Sequence, residues 1–173
     1  MPADGRRLGA RGIAVLAVCA ALVFALQVAL AGIPNGECVT LLFLLYTLYF
    51  RRRTLYIIYT FALLEGVTYG FGIWWFMYLY VWTILWAVVM LLGRRKRSAL
   101  FWAVTAAFFG LCFGLLCTPP YFFIGGWTLA FSWWVAGIPF DLLHCVFNFA
   151  IVLVLFPPLN KLFARLQERN MLL

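Results

Sequence analysis

All thirteen Lys and Arg residues fall into four short clusters, and the chain between those clusters is almost free of charge. The clusters are Arg6, Arg7 and Arg11; Arg51, Arg52 and Arg53; Arg94, Arg95, Lys96 and Arg97; and Lys161, Arg165 and Arg169. A transmembrane helix needs about 20 apolar residues to cross a hydrocarbon layer of about 30 Å. The stretches 12–50 and 54–93 therefore each have room for two crossings. Turn residues interrupt each near its middle, Gly32-Ile33-Pro34-Asn35-Gly36 in the first and Gly70-Phe71-Gly72 in the second. The stretch 98–160 has room for two crossings and a further loop, marked by Thr118-Pro119-Pro120 and Gly125-Gly126. An even number of crossings between successive clusters puts all four on one face, which the positive-inside rule makes cytoplasmic. The expected fold is an all-α integral membrane protein of six transmembrane helices, one domain over 1–173, with both termini cytoplasmic.

Composition supports this reading. Hydrophobic residues make up 67% of the chain and charged ones 10%, and the mean hydropathy is +1.04. A water-soluble core of this size cannot hide so much apolar surface, which excludes soluble enzymes and disordered regulators. A net charge of +8 would suggest nucleic acid as a partner of a soluble protein; here every basic residue belongs to a cluster flanking an apolar stretch, so none is expected. The helices are expected at about 12–32, 37–50, 54–70, 73–93, 99–117 and 131–157. The second reaches only ~21 Å, so a loop or cavity should occupy the outer part of the membrane above it.

Three arginines, an apolar run and Ala29-Leu30-Ala31 imitate a cleavable signal peptide, but the run is longer than the 7–15 residues usual there. It is read as a retained helix. The five cysteines form no C-x-x-C pair and no cluster with His or carboxylates, so neither a metal site nor a disulfide framework is expected. No phosphate-binding loop, G-x-S-x-G or H-E-x-x-H motif is present, and no cofactor and no catalytic residue are assigned.

The ionisable residues inside the apolar stretches carry the functional information, because such groups are costly in a membrane and are functional candidates by default. Counted outward from the nearest basic cluster, Glu37 lies ~21 Å, Glu65 ~18 Å, Asp141 ~30 Å, His144 ~26 Å and Asn148 ~20 Å along its helix. All five fall in the outer half. Asp141, His144 and Asn148 are spaced i, i+3, i+7 and should form one inward-facing stripe. Trp74, Tyr78 and Trp82 repeat at i, i+4, i+8 on the fourth helix at similar heights, with Trp75 beside them. Carboxylates, a histidine, an amide and aromatic faces at one depth would suit a flat heterocycle held by stacking and a few hydrogen bonds. Bland roles compete: the aromatics could form an interfacial belt, and Asp141 could cap a helix restarting after Pro139. On the first helix Ala17, Ala21, Ala25 and Ala29 make a small-residue stripe, and Gly110 and Gly114 a shorter one on the fifth; either would serve close helix packing.

In these features the chain resembles the substrate-binding S components of energy-coupling factor vitamin transporters. The resemblance rests on the six helices, the alanine stripe, the turn Ile33-Pro34-Asn35-Gly36-Glu37, the stretch from Ala136 to His144 (AGIPFDLLH), Asn148-Phe149 and Pro157-Pro158-Leu159. It implies capture of a vitamin or related micronutrient from outside a bacterial-type plasma membrane. A separate transmembrane coupling subunit and two cytoplasmic ATPase subunits would be the partners, with Ala17, Ala21 and Ala25 docking on the coupling subunit. The loop after the first helix, with Asn35, and the long loop before the sixth would cover the substrate. Three acids and no base in the outer half argue against anionic ligands, which favours a cationic or neutral ring such as thiamine, a thiamine precursor or a queuosine precursor. Two other classes stay open. A stand-alone proton-coupled carrier could relay protons through Glu65 and His144, and a membrane-embedded enzyme could use His144 with Asp141 as its base and orienting carboxylate.

Overall fold

The computed structural model describes residues 8–33 and 36–172. It is all-helical, with no strand among the described residues. The elements are α1 (Ala10–Leu30), α2 (Val39–Phe50), a single 3-10 turn (Arg51–Arg53), α3 (Thr54–Tyr69), α4 (Ile73–Leu92), α5 (Ala99–Leu111), the one-turn α6 (Phe113–Leu116) and α7 (Pro119–Glu168). Three of them, α1, α4 and α7, are long and apolar enough to cross a membrane, and α5 is a shorter apolar helix.

The second helix is the centre of the molecule. Ten of its 12 residues are buried, from Val39 to Thr47 and Phe50, because α1, α3, α4 and α7 all pack on it. Its side chains are apolar or aromatic on every face, as befits a helix with no exposed side. The two threonines pose no conflict. The Thr47 hydroxyl donates to the Phe43 carbonyl one turn back at 2.6 Å, a way of satisfying a hydroxyl inside an apolar helix.

Around this axis α4 ties its neighbours down with the polar ends of its aromatic residues. The Trp75 indole N–H donates to the Ala62 carbonyl of α3 at 2.8 Å, the Tyr80 hydroxyl to the Leu116 carbonyl of α6 at 2.9 Å, and the Trp86 indole to the Arg51 carbonyl at 3.0 Å. That last bond holds a turn in which Arg51 adopts φ 55°, a left-handed conformation uncommon outside glycine. At the same end of α2, Tyr46, Tyr49 and Phe50 surround Phe163 of α7. The Tyr49 hydroxyl donates to the Asn160 carbonyl at 2.8 Å. Tyr49→Phe is expected to cost about 1 kcal/mol, a drop in melting temperature of ~2–4 °C; an unaltered melt would show that this bond contributes nothing net.

Three boundaries differ from expectation. The helix expected over 99–117 breaks at Cys112 into α5 and α6. The loop expected around 118–130 is largely helical: a short segment from Pro119 is separated from the rest of α7 only by Gly125 and Gly126. Gly126, at φ 69° and ψ −165°, occupies a backbone region that only glycine enters at low cost. The sixth helix then runs past the expected end at 157 to Glu168, with Pro139, Pro157 and Pro158 inside it. Each proline removes one backbone donor, yet the helix continues.

Candidate functional site

The site begins at the N-terminus of α2. Cys38, the residue preceding the helix, makes no side-chain cap; the neighbouring carboxylate supplies one instead. Glu37 Oε2 accepts from the Thr40 backbone N–H at 2.8 Å, satisfying a free donor of the first turn and placing negative charge at the positive end of the helix dipole. The other oxygen, Oε1, lies 3.0 Å from Nε2 of His144 on α7. This pair is almost fully enclosed, with side-chain exposures of 6% for His144 and 9% for Glu37, so water cannot substitute for either partner. One turn further along α7, the Asn148 amide donates to the Thr40 hydroxyl at 3.3 Å. Glu37, Thr40, His144 and Asn148 thus form one hydrogen-bonded unit joining α2 to α7.

Asp141 extends the unit outward. Its Oδ1 accepts from the Gly114 backbone N–H at 2.9 Å, so it caps the one-turn α6 rather than its own helix, which continues unbroken through Pro139. Asp141, His144 and Asn148 are all buried while Leu142, Leu143 and Val146 are exposed; the i, i+3, i+7 stripe faces inward, as its spacing predicts. Close contact between α5, α6 and α7 depends on the two glycines opposite this stripe. A Cβ on Gly110 would stand 2.9 Å from the His144 backbone, and one on Gly114 would collide with the Asp141 carboxylate. The short glycine stripe therefore serves packing within the chain.

An aromatic wall adjoins the polar unit. Trp74, Tyr78 and Trp82 contact one another in sequence at 5.4 and 5.6 Å between ring centroids. Trp82 meets Phe113 at 5.6 Å, and Phe113 meets the His144 ring at 4.9 Å. Phe61 of α3 stacks on Tyr78 at 6.1 Å; Glu65 lies one turn beyond Phe61 and is 4% exposed.

Seven of the nine residues expected to contact a ligand belong to this assembly: Glu37, Glu65, Tyr78, Trp82, Asp141, His144 and Asn148. Trp75 does not join it; its indole is committed to the Ala62 carbonyl, and its ring packs edge-on against Phe71. Asn35 lies outside the described residues. Sequence reasoning missed Thr40, Phe113 and the Gly114 N–H. Thr40 was legible in principle, since a residue three positions after a carboxylate at a helix start is where capping bonds land. The Gly114 N–H was not, because it becomes available only through the break at Cys112.

The residues named for docking lie elsewhere. Ala17, Ala21 and Ala25 are exposed, whereas Leu16, Ala20 and Val23 face the core.

Among the described residues six buried side-chain polar atoms have no hydrogen-bond partner: Glu65 Oε1, Trp82 Nε1, Asp141 Oδ2 and Asn148 Oδ1 in this region, and the Tyr46 and Thr54 hydroxyls outside it. Buried polar groups in folded proteins are nearly always paired, so each unpaired one calls for an explanation. The chain matches no family model, no curated protein and no solved structure.

Proposed function

We propose that this chain is the substrate-capturing membrane subunit of an energy-coupling factor importer, a six-span protein of a bacterial-type plasma membrane with both termini cytoplasmic. It binds a cationic or neutral heterocyclic micronutrient presented from outside. A transmembrane coupling subunit and two cytoplasmic ATPases release the cargo inward. The observation that carries this reading is the set of four unpartnered polar atoms beside the Tyr78, Trp82 and Phe113 rings. Stacking surfaces next to unfilled hydrogen-bonding positions are what a small planar ligand needs, and their depth in the outer half fits capture from that side. The lengths and hydropathy of α1, α4 and α7 fit membrane insertion, and the shorter helices complete six crossings with basic clusters on one face.

The test is native mass spectrometry of the chain purified from cells grown in micronutrient-rich medium. A heterocycle released at one per chain supports the proposal; a chain that comes out empty from several media and binds no added heterocycle overturns it. The Glu37–His144 pair favours one competing reading, a carrier that couples transport to proton movement without partners. Sustained uptake into proteoliposomes containing this chain alone would establish that reading instead.

The alanine face gives an independent check. Ala17, Ala21 and Ala25 point away from the core, so Ala21→Trp can be accommodated without repacking the helices. Ala21→Trp is expected to leave ligand binding intact and to reduce co-purification with coexpressed coupling subunits to background. Recovery of the complex at wild-type yield would remove this face from the interface.

A further inference from the structure

The unpartnered atoms have a polarity of their own. Three of the four, Glu65 Oε1, Asp141 Oδ2 and Asn148 Oδ1, are acceptors, and one, Trp82 Nε1, is a donor. All four residues are at least nine-tenths buried, with exposures of 4% for Glu65, 5% for Asp141, 1% for Asn148 and 2% for Trp82. Asp141 uses Oδ1 on the Gly114 N–H and keeps Oδ2 free, and Asn148 directs its amide N–H to Thr40 and keeps its one oxygen free, so each is held in place by one bond. Trp82 stands out on its own helix in the same way: Trp75 and Trp86 both donate to backbone carbonyls, while the Trp82 indole, wedged among Phe43, Tyr78, Phe109 and Phe113, donates to nothing.

Building on the binding-subunit reading, we infer that this site selects an amino-substituted nitrogen heterocycle, whose exocyclic amine donates to Glu65, Asp141 or Asn148 while a ring nitrogen accepts from the Trp82 indole. The pattern of donors beside one acceptor is that of an aminopyrimidine or aminopurine edge. An oxo ring of the same outline presents a carbonyl where the amine would be and leaves acceptor facing acceptor. A carboxylate ligand is worse, since it adds negative charge next to Glu65 and Asp141 without water to screen it. A site built to receive a hydrogen bond rejects an analogue that lacks the donor far more strongly than it rejects a change of size. Glu65 and Asp141 are thus specificity determinants, and the aromatic rings supply affinity without discriminating between the two edges.

The test uses probes matched in shape and differing at one group: adenine with hypoxanthine, guanine with xanthine, and thiamine with oxythiamine. Affinities are measured by calorimetry on the full chain in detergent. The amino member of at least one pair is expected to bind at least about tenfold more tightly than its oxo partner, and Glu65→Gln, which replaces one acceptor oxygen by a donor, is expected to reduce that preference several-fold. The wild-type comparison needs no variant, so a misfolded Glu65→Gln protein does not disable it. Equal or tighter binding of the oxo members, or full selectivity retained in a folded Glu65→Gln protein, overturns the inference. Release of a compound without an amino-substituted ring in the mass-spectrometric experiment also overturns it and leaves the binding-subunit reading standing. A chain that is empty as purified and binds no member of the panel overturns both.

Discussion

Glu37→Ala is expected to destabilise the detergent-purified chain by about 3 kcal/mol and to abolish binding of whatever ligand the wild type carries. The substitution leaves two buried groups unpaired, the Thr40 backbone N–H and the ring nitrogen of His144. Each such group costs roughly 1–3 kcal/mol when no water can replace the lost partner. For a chain of this length the loss corresponds to a fall in melting temperature of ~6–12 °C. Binding fails for a separate reason. The His144 ring packs on Phe113, which packs on Trp82, so a histidine free to rotate loosens the wall against which a ligand would stack. Glu37→Gln provides the contrast: its amide can still accept from Thr40 and donate to His144, so the expected cost falls to about 1 kcal/mol. A melting temperature unchanged in Glu37→Ala would mean that the unit joining α2 to α7 contributes nothing to stability.

Gly110→Val should have an effect of similar size by a steric route. The new Cβ would stand 2.9 Å from both the carbonyl carbon and the oxygen of His144, and 3.1 Å from the Asn148 amide nitrogen. The obstructing atoms are backbone, so relief requires α5 and α7 to separate rather than a side chain to turn. Overpacking of this kind costs about 1–3 kcal/mol and sometimes more. Separation also carries His144 away from Glu37, so ligand affinity should fall together with the melting temperature. Gly137→Ala is the matched control, because a Cβ there meets nothing within 4 Å. Replacing a helical glycine in open space is expected to stabilise by roughly 0.5–1 kcal/mol. Equal melting temperatures for the two variants would show that the α5–α7 contact tolerates a larger spacing than these distances imply.

Much of this arrangement is legible in the residue order, for reasons that can be traced to particular positions. Charge clusters at 51–53 and 94–97 mark helix ends because arginine and lysine are costly inside an apolar layer. The inward face of α7 follows from three polar residues on one side of an otherwise apolar helix. What stayed hidden depends on choices made by tertiary packing. Pro119-Pro120 and Gly125-Gly126 carry every local mark of a loop, yet Pro suits a first helical turn, and the chain needs only the two glycines to change direction. Pro157-Pro158 resembles a helix end for the same reason. There Tyr49 and the aromatic cluster around Phe163 hold the continuation against α2. Trp74 and Trp75 are indistinguishable by type; only the backbone carbonyl offered by Ala62 decides which of them leaves the wall.

The enclosure of α2 bears on how the protein is made. Its 12 residues span about 18 Å, too little to cross a bilayer unaided, so on the membrane reading proposed above it enters as part of a hairpin with a neighbour. Its final contacts include α7, which is synthesised more than 60 residues after α2 begins. Until that helix arrives, Thr40 and Glu37 have no partner across the gap, and the centre of the molecule stays open on one side. Truncation anywhere within α7 should therefore leave an unfinished chain whose most deeply buried helix is exposed at its polar end. Such a chain is a ready substrate for quality-control proteases, which act on segments that fail to complete their packing.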